Sequence, residues 1–414
     1  MKYVCLLDCN NFFVSCERLF RPDLAAKPVV VLSSNDGCVV ARSKEVKALG
    51  IPMGVPHFQV RNEFRKAGVE VFSSNFPLYR DISARVMRVL KDEVADIEQY
   101  SVDEAFFSFT ATDNAVAESM LRDLKRTVER CVGVPVTVGA AATKTIAKCA
   151  TELGKKENGV CVLTGEAWRE TAQSFPLADV WGVGGKSAAK MKEYALHTAH
   201  DLMYADSGSI QRQFGVHGAR LQMELNEHQA VAHDSGELQH SIMSTRSFKS
   251  ATTDLRVLED AIGYHIAHAA EELRGMDAVA GEVRVLIRPS RHGDWVLRGG
   301  TKEYRLSVPA DDTRTLLKAA LALTRELYEA EVPYKKAGVV LSHIIPKAQQ
   351  AGSLFDTSVT DDTIFRTVDA LNQRYGAQTL TIGRVGNGSA WQSSKMHVSP
   401  HYTTKWGEVP TVMA

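Results

Sequence analysis

The run Tyr3-Val-Cys-Leu-Leu7 is apolar enough to form a fully buried strand, yet it ends on an acid, Asp8. A carboxylate at the tip of a buried strand is strongly disfavoured unless something positive meets it. Farther on, Tyr100-Ser-Val-Asp-Glu-Ala-Phe106 sets two more acids, Asp103 and Glu104, at the connection between two short strands. If Asp8, Asp103 and Glu104 converge on one edge of a sheet, they make a hard-oxygen site for two divalent ions and phosphoryl chemistry. The backbone carbonyl of Cys9 is a further oxygen in reach of such a site. The plain alternatives are that Asp8 caps the following helix and that Asp103 and Glu104 form an acidic exposed turn.

The chain has 414 residues, which points to several domains rather than one core. Lysine plus arginine equals aspartate plus glutamate at 49 each, so any basic surface must be local. The seven cysteines include no Cys-x-x-Cys pair, which argues against a disulfide framework or a zinc site. No leader peptide is recognisable, and the apolar run at 316–323 is short and contains Lys318. A cytoplasmic protein without membrane segments is expected.

Hydrophobic periodicity and turn signals predict a mixed α/β unit over residues 1–165. Its strands fall at 3–7, 28–32, 69–72, 97–100, 105–109, 136–140 and 160–163. Its helices fall at 12–20, 38–51, 77–94, 115–131 and 143–153. Residues 166–232 carry helix signals without a clear strand and include Trp181-Gly-Val-Gly-Gly-Lys186. Over 241–345 the pattern becomes β-α-β-β-α-β, the ferredoxin-like or split-βαβ order. Within it, Arg284 and Arg288 alternate with Val283, Val285 and Ile287. From 283 to 305 six basic residues (284, 288, 291, 298, 302, 305) face two acids, a candidate phosphate-contact stripe or a solvated sheet face. His265 and His268 lie on a predicted helix without a third ligand and read as structural. A tail from 346 holds one amphipathic helix near 364–375.

Several of these stretches together resemble a Y-family translesion DNA polymerase of the UmuC type, the catalytic subunit of DNA polymerase V. They are Asp8-Cys-Asn-Asn-Phe-Phe13 read as Asp-x-Asn-x-Phe-Phe, the Ser-x-Asp-Glu-Ala-Phe stretch and Trp181-Gly-Val-Gly184. Ser15-Cys-Glu-Arg-Leu-Phe-Arg-Pro-Asp-Leu24, Asn35-Asp-Gly-Cys-Val-Val-Ala-Arg42, Lys47-Ala-Leu-Gly50, Phe72-Ser-Ser-Asn75 and Ser399-Pro-His-Tyr-Thr-Thr404 add to them. The resemblance implies a right-hand polymerase: palm at 1–22 and 76–165, small fingers at 23–75, and a helical thumb at 166–232. A ferredoxin-like little finger at 241–345 and a C-terminal interaction tail at 346–414 complete it.

The same resemblance implies site roles. Asp8, Asp103 and Glu104, with the Cys9 carbonyl, hold two magnesium ions, and Phe13 is a steric gate against a ribose 2′-hydroxyl. Phe12, Arg42, Lys44, Lys47 and either Lys155 or Lys156 contact the incoming nucleotide. Gly182, Gly184, Gly185 and Lys186 form a helix-hairpin-helix phosphate contact, although a simple helix-helix turn explains the same glycines. Arg284, Arg288, Arg298, Lys302 and Arg305 contact DNA. Gln350, Leu354 and Phe355 resemble a sliding-clamp peptide with one extra residue. The implied function is error-prone synthesis past lesions in the DNA damage (SOS) response. The implied partners are primer-template DNA, deoxynucleotides, a processed UmuD-like dimer, a RecA filament and the clamp. A catalytically silent DNA-binding or recruitment subunit is the alternative. A palm-type nucleotidyl cyclase leaves the basic unit at 241–345 without a purpose.

Overall fold

Alternation along the first strand, β1 (Lys2–Cys9), sorts the surrounding structure into two layers. Tyr3, Cys5, Leu7 and Cys9 enter one apolar cluster, whereas Leu6 enters another with Val4 against it. Asp8 shares the parity of Val4 and Leu6. The computed structural model describes residues 1–232, 238–290, 295, 298–350, 362–376, 379–381, 391 and 395–411. They fall into two units, Met1–Ser235 with Met396–Ala414, and Gly236–Lys395. The stretch expected as a single tail, 346–414, is thus divided between them.

In the first unit β1 leads through a left-handed Asn11 into α1 (Phe12–Phe20). Asn11, not Asp8, occupies the cap position. Next come β2 (Val29–Leu32), β3 (Val39–Arg42), α2 (Lys44–Ala48), α3 (His57–Ala67), β4 (Glu70–Ser73) and α4 (Phe76–Glu93). Then follow β5 (Glu98–Gln99), β6 (Glu104–Thr110), α5 (Asn114–Val132), β7 (Val136–Ala141), α6 (Lys144–Gly154) and β8 (Val160–Leu163). Five strands form one sheet in the order β5-β6-β1-β7-β8, and β3-β2-β4 form a small second sheet. One helix was expected over 38–51, but the chain makes β3 and then the short α2. The β-branched pair Val39-Val40 favours the strand, and buried Ser43 starts the helix by accepting from the Val46 N–H at 3.4 Å. The helix α3 had no counterpart among the expected elements. Residues 166–232 are helical as expected: α7 (Gly165–Ser174), α8 (Gly185–Glu193), α9 (Ala199–Tyr204) and α10 (Ser207–Leu225).

The second unit has the expected β-α-β-β-α-β order: β9 (Ser241–Thr252), α11 (Leu255–Gly275), β10 (Ala278–Pro289), β11 (Gly300–Ala310), α12 (Thr313–Leu327) and β12 (Tyr334–Pro346). Its sheet runs β11-β10-β12-β9 with every neighbour antiparallel, so each helix crosses over one intervening strand. His265 of α11 is buried and shares a hydrogen bond with the Ser244 hydroxyl at 2.8 Å, consistent with a structural role. The tail helix, α13 (Asp362–Tyr375), packs Phe365 beneath Arg274 and Arg314 and pairs Asp369 with Arg274 at 2.6 Å.

Glu17 is one of the ionisable residues buried in the first unit, with Lys144 and Glu224. Glu17 of α1 is fully buried and accepts from the Tyr79 hydroxyl at 2.6 Å. Burial pushes its carboxyl up to about 7, against the opposing pull of the Tyr79 and Ser399 hydroxyls. In the unfolded chain the same group titrates near 4.5. Its contribution to stability is therefore full below pH 4.5 and is lost as pH rises through about 7, a change of about 3 kcal/mol. Glu17→Gln removes this titration. Denaturant melts should show the variant gaining about 3 kcal/mol on wild type between pH 4.5 and 8. A difference that stays flat with pH would refute the assignment.

Candidate active site

Register brings the distant acids together. In the antiparallel pair β1–β6, Asp8 lies opposite Glu104 and Leu7 opposite Ala105. The Cys9 N–H donates to the Asp103 carbonyl at 2.9 Å, tying the turn before β6 to the end of β1. Ser101 shapes that turn: its hydroxyl donates to Asp103 Oδ1 at 2.6 Å and accepts from the N–H groups of Asp103 (3.2 Å) and Glu104 (3.0 Å). Glu104 shares the parity of Phe106, which packs in the same cluster as Leu6 and α6. Asp8 and Glu104 therefore face the layer that contains α6.

Helix α6 and its C-cap answer with cations. Lys144, Lys148 and Lys155 are four and seven residues apart, the spacing of one helical face. Lys144 pairs with Glu98 at 2.6 Å, Lys148 spans both Glu104 oxygens at 3.0 and 3.2 Å, and Lys155 meets Asp8 at 2.9 Å. Tyr100 and Trp181 present ring faces to the Lys148 ammonium at 4.5 and 5.1 Å. Burial raises the Asp8 carboxyl to about 6; Lys155 opposes that rise, while Glu104 and Asp103 add to it. Burial acts against the charge on Lys155, but Asp8 and Glu152 outweigh it and hold its pKa above the ordinary value. Lys148 was not singled out from sequence, and Tyr100, Ser101 and Trp181 stood in the quoted motifs without a role of their own. The lysine spacing on α6 was the available signal.

The structure separates the two candidate lysines. Lys155 reaches Asp8, whereas Lys156 is exposed, with its N–H on the Leu153 carbonyl. Lys47 lies within electrostatic range of both Arg42 and Lys155; burial and these two cations lower its pKa. Arg42 Nη1 donates to the Ile51 carbonyl. Lys44, the first residue of α2, is exposed. The Phe12 ring is buried in the core, which leaves its backbone for any nucleotide contact. Phe13 is half-buried, stacked on Tyr79 at 4.5 Å and 13°, with Phe76 edge-on at 5.9 Å.

Among the described residues, no group of three or more His, Cys, Asp or Glu side chains is posed to hold a metal ion. The three acids adjoin, but each carboxylate turns to a nearby donor: Lys155, Ser101 or Lys148. The donor set nevertheless fits magnesium. It is made of hard carboxylate oxygens, two of the three carboxylates already hold ammonium cations, and the crowding of acids that helps raise the Asp8 pKa is relieved by added positive charge.

The remaining candidates lie elsewhere. Gly182 has φ +90° and, with Gly184 and Gly185, leads into α8 with open space where side chains would be; Lys186 is exposed. On β10, Val283, Val285 and Ile287 are buried and Arg288 is exposed. The basic stripe is less unbalanced than the local count implied. Arg284 pairs with Glu282 and Glu303, Arg298 with Glu329, and Lys302 with Glu326. Arg305 contacts His343 at 3.3 Å. Gln350 donates to the Pro309 carbonyl at 2.6 Å, and Leu354 and Phe355 lie outside the described residues.

Comparison with known proteins adds the family. The impB/mucB/samB family matches residues 7–152, its C-terminal domain matches 239–354, and a domain of unknown function (DUF4113) matches 362–412. Protein ImpB of Salmonella typhimurium is 34% identical over 417 residues, and Protein UmuC of Salmonella typhimurium strain LT2 is 34% identical over 415. Both alignments cover 98% of each chain. DNA polymerase IV 1 of Bacillus subtilis is 26% identical over 91% of each chain. Among solved structures, a Y-family DNA polymerase chimera matches with TM-score 0.69 at 21% identity, covering 83% of this chain and 99% of the other. With the predicted mixed α/β and split-βαβ architecture in place, the fold is that of the Y-family polymerase chimera, and with full-length relatives above 30% identity the chain belongs to the impB/mucB/samB family.

Proposed function

We propose that the chain is a DNA-directed DNA polymerase that extends primers across damaged templates with low fidelity, in the manner its UmuC-type relatives suggest. The observation that carries this reading is the register of Asp8 with Glu104, with Asp103 tied to Cys9, beneath the lysine face of α6. Asp8, Asp103, Glu104 and the Cys9 carbonyl would hold two magnesium ions, which when bound supply Lewis acidity to the primer 3′-hydroxyl and charge to the triphosphate. Lys155, Lys47 and Arg42 orient the triphosphate, with Lys44 and Lys156 more peripheral and the Phe12 backbone beside them. Phe13 excludes a 2′-hydroxyl. Residues 23–75 act as small fingers, 1–22 with 76–165 as palm, 166–232 as thumb and 241–345 as little finger. Gly182, Gly184, Gly185 and Lys186, together with Arg284, Arg288, Arg298, Lys302 and Arg305, would track the DNA backbone. A small fingers domain would leave an open site that tolerates distorted bases. A role in the SOS response, a processed UmuD-like dimer, a RecA filament and a clamp held by Gln350, Leu354 and Phe355 belong to the same reading. So does a cytoplasmic location; no helix among the described residues is long and apolar enough to cross a membrane.

Primer extension with magnesium and all four deoxynucleotides tests the reading, with and without the accessory proteins. Template-directed products are expected. Primer-template binding without extension under either condition would replace it with the silent recruitment subunit.

A further inference from the structure

The segment at 396–402 belongs to the matched domain of unknown function, yet it folds onto the first unit, against the end of β4, the start of α4 and the end of α1. Val398 forms a parallel bridge with Ser73, at the end of β4. The Ser73 N–H donates to the His397 carbonyl and the His397 N–H to Ser73 Oγ, both at 2.9 Å. Asn75 Nδ2 then donates to Ser399 O (3.2 Å), Ser399 Oγ (3.0 Å) and Pro400 O (3.3 Å), while its Oδ1 caps α4 through the Leu78 N–H. Tyr402 stacks on Phe20 at 4.6 Å and 12°.

These contacts grip two helices on the sides that build the Phe13 pocket. Phe13, Glu17 and Phe20 are four and seven residues apart, one face of α1. Asn75, Phe76 and Tyr79 form the start of α4. Tyr79 lies under Phe13 and holds Glu17 through its hydroxyl. The Ser399 hydroxyl lies by the same Glu17 carboxylate and favours its charged form. The C-terminal segment thus meets α1 at Phe20 and Glu17, and α4 at Asn75.

We propose that residues 397–402 brace the steric gate: by clamping α1 against the start of α4, Ser399 and Tyr402 fix the height of the Phe13 ring and so set sugar selectivity. The inference rests on the reading of Phe13 as the gate. A gate works by short-range repulsion, which is steep, so a displacement well below 1 Å changes discrimination more than it changes binding of the correct sugar. Ser399 and Tyr402 are positioning residues; neither is assigned a contact with nucleotide.

The test uses full-length Ser399→Ala, Tyr402→Ala and the double variant, with Phe13→Ala in parallel and Trp406→Ala, an exposed position, as control. Steady-state kcat/KM is measured for a deoxynucleotide and its ribonucleotide opposite one template base. The double variant should raise the ribo-to-deoxy efficiency ratio about tenfold, with deoxynucleotide kcat within about twofold of wild type. A purely structural role would lower both efficiencies together and leave their ratio unchanged. An unchanged ratio in the double variant, while Phe13→Ala raises it, overturns the brace. An unchanged ratio in Phe13→Ala overturns the gate itself and the brace with it. Control Trp406→Ala should match wild type, and a raised ratio there would place the effect outside the 397–402 contacts and against the proposal.

Discussion

Asp103→Ala should cut template-directed nucleotide addition by about a thousandfold or more while primer-template affinity stays within about threefold. The asymmetry follows from how Asp103 is held. Its carbonyl accepts the Cys9 N–H through the backbone, a bond that alanine keeps. Its side chain is bonded by the Ser101 hydroxyl, which also serves the N–H groups of residues 103 and 104. Truncation therefore removes the carboxylate proposed to bind magnesium at little expense to the fold. It should also ease the Asp8 carboxyl downward, because the neighbouring Asp103 charge helps to raise it. Single-turnover extension and fluorescence anisotropy on the same labelled primer-template read the two quantities. Extension by the variant at the wild-type rate would remove Asp103 from the chemistry.

How much of this was readable from the chain alone depended on the range of the contact involved. Local signals worked: the apolar run before Asp8, the two strands flanking Asp103 and Glu104, and the helix that the structure places at Phe12–Phe20. The segment at 38–51 failed because a β-branched pair beside a buried capping serine outweighed the helical spacing. Nonlocal pairings left less trace. The register of Asp8 with Glu104 is invisible in either stretch by itself. The basic stripe looked unpaired because Glu326 and Glu329, at the end of α12 and just beyond it, stand far away in sequence. Asn75 and Ser399 are separated by 324 residues, so the C-terminal segment carried only a resemblance and no local reason to pack against α4.

Gly139→Ala should destabilise the first unit by about 3 kcal/mol or more, the largest stability effect expected from a single added methyl here. Gly139 lies on β7 under α6. A Cβ built there would come within 2.3 Å of the Thr151 nitrogen, 2.4 Å of Thr151 Oγ1 and 2.5 Å of the Ala147 carbonyl oxygen. Two of these neighbours are helix backbone, which no rotamer change can move aside. Either α6 lifts from the sheet or β7 bends, and both disturb the cluster that contains Leu6, Ile146 and Cys149. Lifting α6 also draws Lys148 and Lys155 away from Glu104 and Asp8, so the surviving folded protein should lose nucleotide efficiency as well as stability. Gly275→Ala makes a fair comparison. It ends α11 in open space, where alanine should be neutral or stabilise the helix by up to about 1 kcal/mol. Denaturant melts of the two variants beside wild type decide the matter. A Gly139→Ala protein as stable as wild type would mean that α6 does not owe its close seat over β7 to the missing side chain.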